Sequence, residues 1–212
     1  MYLPPPHREH DTARMIALMR AHPLGLLITH AADGLTANAA PFSVCEEGGV
    51  LRLVAHLARA NPQWRQAGEA LVVFTGPDAY VSPGWYATKQ TTGAVVPTWN
   101  YVAVHAYGRL RAIEDRAWLR AQVEALTTTH EAARAGPWRV DDAPPAYIEQ
   151  MLGAIVGVEI AVARLEGKWK MSQNRTVEDR IGVVAGLRAQ SGAETDAVAA
   201  LVDATIGPER AR

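Results

Sequence analysis

The chain has 212 residues, 49% of them hydrophobic, and its 21 basic and 22 acidic side chains leave a formal net charge of −1. This length suits one sizeable core, and no apolar run approaches the roughly 20 residues that a membrane helix needs. Proteins that bind a polyanion usually show a basic excess or a basic face, so the charge balance gives direct DNA binding no support.

The first residues and the cysteine content bear on the compartment. "MYLPPPHREHD" lacks the basic stretch and apolar core of a secretory signal. A single cysteine, Cys45, cannot form an internal disulfide. We therefore expect a cytoplasmic protein.

The first half of the chain contains one amphipathic helix and several short strands. Apolar residues at helical spacing predict a helix from Asp11 to His22. "PLGLLITH" and "LTANAAPF" are predicted strands joined by the turn "AADG", and "VLRLVAH" is a third strand. Asn61 then caps a short helix that starts with Pro62. "ALVVFTG" is a strand that we expect to end at "PD", before a long ordered loop or an interrupted strand.

The second half opens on Trp99 and Asn100, which we place just before a strand that includes "VAVHAYG". Asp115 is expected to start a helix, "AYIEQMLG" a second one, and "AIVGVEI" the next strand. Thr176 and Asp179 form a capping box for a further helix. We assign residues 1–190 to the main domain and residues 191–212 to a peripheral helix or tail.

The order of these elements indicates the fold class. Several strands precede any long internal helix, and strands do not alternate with helices as in a doubly wound parallel sheet. The sequence therefore predicts a mainly β, α+β fold: a small antiparallel barrel with flanking helices.

Common catalytic motifs are missing from the sequence. It contains no glycine-rich phosphate loop after a strand, no CxxC or HExxH and no GxSxG. We therefore assign no catalytic side chain and no metal ligand.

Polar residues at strand ends and in loops are the candidates for ligand contacts. They are Asn38, His56, Arg59, Asn61, Lys89, Asn100, Lys170, Ser172, Gln173 and Asn174. In "HLARAN", Arg59 lies beside the backbone amides of the next two residues, a combination that suits a phosphate. The alternative is that Arg59 is a surface charge.

The segment "GKWKMSQN" is a second cluster. In an extended backbone Lys168 and Lys170 face one way and Trp169 the other. This arrangement suits an anionic ligand with a planar ring, and equally a salt-bridged edge with a buried indole. The carboxamides of Gln173 and Asn174 offer both donor and acceptor to a heterocycle.

Six segments occur in an order that resembles the PaiB-type proteins, a family described as FMN-binding negative transcriptional regulators. They are "ARANPQW", "GPDAYVSPGWY", "VVPTWNYVAVHAYGRLRAIED", "PWRVDDAP", "MLGAIVGVEI" and "LEGKWKMSQNR". The resemblance runs from "MYLPPPH" to about "GLRAQ", and it implies a homodimeric, FMN-binding split barrel with the flavin between subunits.

The resemblance also implies roles for particular residues. The strand "LTANAAPF" would run beside the flavin ring, "VAHLARAN" would hold the ring edge and phosphate, and "KWKMSQN" would complete the pocket from the other subunit. Trp99 and Asn100 would lie at the pocket mouth or the dimer seam, where Trp99 alternatively has a purely structural packing role. The expected cofactor-binding residues are Asn38, His56, Arg59, Asn61, Lys89, Trp99, Asn100, Lys170 and Gln173.

Three functional hypotheses follow. The leading one is an FMN-binding member of a regulatory family that senses or supports a flavin redox event; as an enzyme it would be an FMN-dependent oxidoreductase. The second is a DNA-binding repressor that uses the barrel for dimerisation, and the third is a flavin-free module for another planar anion. The helix "TVEDRIGVVAGLRAQ" mixes Arg180 and Arg188 with Glu178 and Asp179, so we expect regulation to be indirect.

Overall fold

The computed structural model describes residues 1–32, 34–66 and 68–207. The strands of this described chain, β1 to β8, are Arg8–Glu9, Leu24–Ala31, Gly34–Pro41, Ser43–Glu47, Val50–Ala58, Gly68–Val81, Thr98–Ile113 and Ile155–Lys170. Its helices, α1 to α6, are Thr12–Ala21, Thr88–Thr91, Arg116–Glu131, Pro145–Gly153, Val177–Arg188 and Ala193–Ile206.

The chain forms two compact units. Unit 1 consists of residues 1–15, residues 75–104 and the residues from 166 onward, and unit 2 of residues 16–74 and 105–165. Helix α1 and strands β6, β7 and β8 each continue from one unit into the other. None of the helices in the described ranges is long and apolar enough to cross a membrane.

Unit 2 is built on a mostly antiparallel sheet in the order β3-β2-β6-β7-β8-β5-β4. Along β5, Leu53, Ala55 and Leu57 are buried, and the residues between them are half-exposed. This alternation is expected of a strand with one face in the core. The predicted α+β class is confirmed, because helices accompany a mostly antiparallel sheet.

Helix α3 adds a small core on the same unit. Asp115 caps it, since its carboxylate accepts a hydrogen bond from the amide of Trp118 at 2.7 Å. Buried Leu119 then packs with Ile148 and Leu152 of α4. The predicted start of α3 is therefore confirmed.

Unit 1 contains β1 beside the last residues of β8, and the helix pair α5 and α6. Gly186 leaves room for the Trp85 indole, since a Cβ at this position would lie 2.2 Å from the ring. The expected capping box at α5 is half formed. The Thr176 hydroxyl accepts from the Asp179 amide, but the Asp179 carboxylate accepts two hydrogen bonds from Thr88 instead.

Two predicted boundaries are wrong. Strand β6 continues past Pro77 to Val81, because pairing with β2 ends at Val73 and the missing amide of proline interrupts no bond to that strand. Strand β7 already begins at Thr98, so Trp99 and Asn100 lie within it. The sequence also missed β1, β4 and the short helix α2.

Two further predictions fall partly outside the described residues. The first is the "AADG" turn, because Asp33 is not among the residues described. In the predicted C-terminal segment, α6 is a helix packed on α5, and residues 208–212 are not among those described.

The close contact between β7 and β8 gives a test of the fold. A Cβ at Gly108 would lie 2.1 Å from the carbonyl oxygen of Ala161, so the strands must separate to accept a methyl group. We expect Gly108→Ala to lower the free energy of unfolding by about 1–3 kcal/mol in urea titrations. Gly136→Ala is the control, since nothing lies within 4 Å of a Cβ there. Equal midpoints for the two variants would contradict the packing described.

Candidate functional site

The predicted site residues fall into two groups. Those of unit 2 are Asn38, His56, Arg59 and Asn61, and those of unit 1 are Lys89, Trp99, Asn100, Lys170 and Gln173. The contacts of each side chain within its own unit show which of its polar atoms already bond other protein atoms.

Each of the three guanidinium nitrogens of Arg59 bonds a protein oxygen. Nε donates to the Gly153 carbonyl at 2.9 Å, Nη2 to the Ile155 carbonyl at 3.1 Å, and Nη1 to the Glu114 carboxylate. These bonds tie the end of β5 to the start of β8. A phosphate at Arg59 would compete with them, so the predicted anchor role stays a prediction.

Asn61 has a local structural role. Its side-chain oxygen accepts from the Gln63 amide at 3.0 Å and caps the 3₁₀ turn Pro62–Arg65, as predicted. The Trp64 indole N–H donates back to the carbonyl of Arg59 at 3.1 Å. These two hydrogen bonds therefore hold the segment "ARANPQW" in a compact turn.

Asn38 contacts a buried carboxamide that the sequence analysis missed. Its Nδ2 donates to Gln63 Oε1 at 2.9 Å, and Gln63 Nε2 donates to the Leu27 carbonyl and the Thr29 hydroxyl. Gln63 is completely buried. A glutamine between proline and tryptophan carries no periodic signal of burial, so only the packing of the turn under β2 and β3 shows its position.

His56 pairs with a residue of α3. Gln122 Oε1 accepts from His56 Nδ1 at 2.8 Å, whereas the buried Gln122 Nε2 has no hydrogen-bond partner in the described chain. Gln122 lines a groove of about 260 Å³ whose wall also carries the ion pair of Arg52 with Glu159. The groove is thus mainly apolar, with its charges already paired.

In unit 1, Asn100 fixes a turn that follows β8. Its fully buried amide donates to the Ser172 hydroxyl at 3.0 Å, and that hydroxyl donates to Asn100 Oδ1 at 3.2 Å. Ser172 has a φ of 59°, a left-handed conformation that costs a non-glycine residue about 1–2 kcal/mol. Gln173 braces the same turn, accepting from the Met171 amide and donating to the Trp169 carbonyl.

This turn borders a cleft of about 110 Å³, called the unit 1 cleft below. Its lining residues are Tyr86, Val96, Pro97, Thr98, Asn100, Lys170, Ser172, Asn174 and Arg175. Lys170 Nζ donates to the Thr98 hydroxyl and to the Trp99 carbonyl. The Arg175 guanidinium lies 4.6 Å from the centre of the Tyr86 ring.

The unit 1 cleft carries unbalanced positive charge. Lys168, Lys170 and Arg175 make no ion pair with a carboxylate of the described residues. Burial lowers the pKa of Lys170, and the nearby Lys168 and Arg175 lower it further. Burial also lowers the pKa of His7, and both lysines add to that effect although the bond to Gln173 opposes it. The donor set and its charge suit an anionic group.

The Tyr86 hydroxyl is an unsatisfied polar group at this cleft. The residue is 1% exposed, and no hydrogen bond of ordinary geometry reaches its Oη in the described chain. Burial raises the pKa of Tyr86, and Arg175 opposes that shift through its charge and its closeness to the hydroxyl. The sequence analysis missed both residues, although Arg175 directly follows the quoted "KWKMSQN".

Lys89 and Trp99 are the most exposed members of the predicted set. Lys89 lies on α2, and its side chain makes no hydrogen bond or ion pair to the residues that the structure describes. Trp99 is 54% exposed, and its ring packs edge-on against Tyr80 at 6.1 Å between centres. The ligand-binding roles of Lys89 and Trp99 stay predictions.

Two solved structures resemble the fold. One is the FAD and heme binding protein from Mycobacterium smegmatis, with a TM-score of 0.58, 18% identity and coverage of 77% of this chain and 73% of that one. The other is the conserved hypothetical protein Rv2991 from Mycobacterium tuberculosis, with a TM-score of 0.56, 14% identity and coverage of 83% and 94%. These likenesses confirm the split-barrel fold.

The sequence comparisons identify the family. Residues 1–164 match the family model described as "Putative FMN-binding domain". An uncharacterized protein of Emericella nidulans, AN0679, is 36% identical, with 88% of this chain and 90% of that protein covered. "Protease synthase and sporulation protein PAI 2" of Bacillus subtilis is 29% identical over 96% and 97% of the two chains. The chain therefore belongs to the PaiB-type family of FMN-binding split-barrel proteins, whose cofactor is FMN.

Proposed function

We propose that this protein binds FMN and that the bound flavin supports or senses a redox event. The observation that carries the proposal is the match of residues 1–164 to an FMN-binding family, on a split-barrel fold shared with a protein named for FAD binding. The described residues fit such a ligand, because the unit 1 cleft offers hydroxyl groups and cations, and no carboxylate forms an ion pair with these cations. The phosphate of FMN would supply the negative charge that balances them.

The proposed work of the protein is binding and orientation. Bound FMN would supply the electron chemistry, and no side chain needs to act as acid or base. The half-exposed Trp99 offers an aromatic surface. If the protein is an enzyme, we propose an FMN-dependent oxidoreductase.

A second part of the proposal is a homodimer. Strands β2 and β3 expose a mainly apolar face in unit 2, formed by Leu24, Leu26, Ile28, Leu35, Ala37 and Ala39, with His30 opposite Leu35. Leu24 is 66% exposed and Leu35 76% exposed. Contiguous apolar surface of this kind marks an interaction site, and a second copy would cover it through the same patch on both subunits.

We propose that any regulatory role is indirect. A relative is named for protease synthesis and sporulation, yet α5 exposes Glu178 in its first turn and buries Asp179 and Arg180. Arg180 donates to the Thr205 carbonyl at 2.8 Å and so is not available to DNA. Regulation through the flavin or a protein partner fits this surface better than a repressor helix.

The cofactor proposal predicts a coloured protein. FMN is added to the purified chain, the excess is removed by gel filtration, and the visible absorbance of the protein peak is recorded. We expect flavin bands that co-elute with the protein. A colourless peak after reconstitution would overturn the proposal.

The contacts of Arg59 predict a structural effect of its removal. Arg59→Ala deletes hydrogen bonds to two carbonyls, so we expect the free energy of unfolding to fall by about 1–3 kcal/mol. Binding of FMN and of riboflavin, measured by fluorescence titration of the folded variant, should change by similar factors. A loss confined to FMN would instead establish Arg59 as the phosphate anchor of the original hypothesis.

The dimer proposal predicts that charge on the apolar face separates the subunits. Leu35→Glu introduces a carboxylate at a position whose exposure leaves the monomer fold intact. We expect its dimer dissociation constant, from sedimentation velocity, to rise by about tenfold or more. Ile181→Glu, at an exposed position on α5, is the control. A wild-type protein that stays monomeric at high concentration would contradict the proposal.

A further inference from the structure

The unit 1 cleft has the features of a site for one compact anion. We propose that Thr98, Lys170, Asn174 and Arg175 together bind a phosphate group. Three of these four residues lie beyond residue 164, outside the stretch that matches the family model. The proposal thus gives this C-terminal segment a binding role.

Charge is the first reason. Lys170 and Arg175 line the cleft and Lys168 lies close enough to influence Lys170, yet no carboxylate of the described residues forms an ion pair with any of them. Asp179 is the acidic group nearest Tyr86, and its oxygens are already engaged by Thr88. A dianion would relieve the repulsion among the cations and gain charge-assisted hydrogen bonds.

Unused donors are the second reason. An ammonium group has three N–H donors, and Lys170 spends two of them on Thr98 and Trp99, which leaves one. Tyr86 also lines the cleft, and its buried hydroxyl has no hydrogen bond of ordinary geometry in the described chain, although Arg175 lies near enough to act on it as a donor. Leaving such a group unsatisfied costs about 1–3 kcal/mol, and a phosphate oxygen would remove that cost.

The shape of the cleft limits what enters it. A volume of about 110 Å³ is well below the roughly 300 Å³ at which pockets begin to enclose a whole drug-sized ligand. The cleft therefore suits a terminal group, with the remainder of the ligand outside it. A phosphate monoester meets this requirement.

Hydrogen bonds within the protein hold the turn that borders the cleft. The left-handed Ser172 is held by two hydrogen bonds to buried Asn100, and this turn presents Asn174 and Arg175. Strained residues held in place by their surroundings are frequent at binding sites. A preformed site loses less entropy on binding than a flexible loop does.

The phosphate has two candidate sources. It is the phosphate of FMN if the proposed function holds, and the inference rests on that function for this source only. Otherwise it belongs to another phosphate monoester or to free phosphate. Binding of FMN, riboflavin and inorganic phosphate separates these sources.

The experiment compares the dissociation constants of FMN and riboflavin by fluorescence titration in variants that fold. Lys170→Met and Arg175→Gln should raise the constant for FMN by about tenfold, and the constant for riboflavin should stay within about twofold. Arg188→Gln removes an exposed positive charge elsewhere in unit 1, and we expect no change for it. Asn174→Asp is the third cleft variant. It places a negative charge at an exposed cleft position without removing a described contact, so it should also weaken the binding of FMN.

Inorganic phosphate gives a readout that does not need flavin. Its binding is followed by ³¹P line broadening and should weaken in the same three cleft variants. Phosphate binding of this kind without any flavin binding would support the cleft and overturn the proposed FMN function. Equal losses for FMN and riboflavin, or binding of FMN and phosphate unaffected by all three cleft variants, would overturn the cleft and leave the FMN function standing.

Discussion

The turn after β5 depends on one buried, uncharged side chain. Gln63 has no exposed surface, and its amide bonds the Leu27 carbonyl, the Thr29 hydroxyl and the Asn38 carboxamide. A buried carboxamide is costly unless its donors and acceptor are all used, and here they are. The network therefore fixes the turn beneath β2 and β3, and with it the position of Asn61 and Arg59.

This constraint changes how the family signature "ARANPQW" is interpreted. The sequence pattern made Arg59 and Asn61 candidates for a phosphate, yet in the structure they bond carbonyl oxygens and the backbone amide of the turn. Residues of a family motif can therefore have a structural role in holding a turn as well as a role in contacting a ligand. The phosphate-anchor role of Arg59 stays a prediction.

The unit 1 cleft contains polar groups that lack a charged partner. The two cations that line it, Lys170 and Arg175, contact neutral oxygens or an aromatic ring, and the buried Tyr86 hydroxyl has no hydrogen bond of ordinary geometry in the described chain. Such an arrangement is unfavourable for stability alone, because unpaired donors and like charges both cost free energy. Strain at Ser172 adds to that cost. Folds tend to keep costs of this kind where a ligand compensates for them.

The sequence by itself determined the local features and the family. Caps such as Asp115 on α3 and Asn61 on its 3₁₀ turn depend on residues two or three positions away, and strand alternation along β5 depends on its own pattern. Only the tertiary structure decided which distant groups meet. Asn100 meets Ser172 across 72 positions, and Arg59 reaches carbonyls 94 and 96 positions away. Contacts across such separations leave no periodic trace in the sequence, because chain packing rather than local geometry brings the partners together.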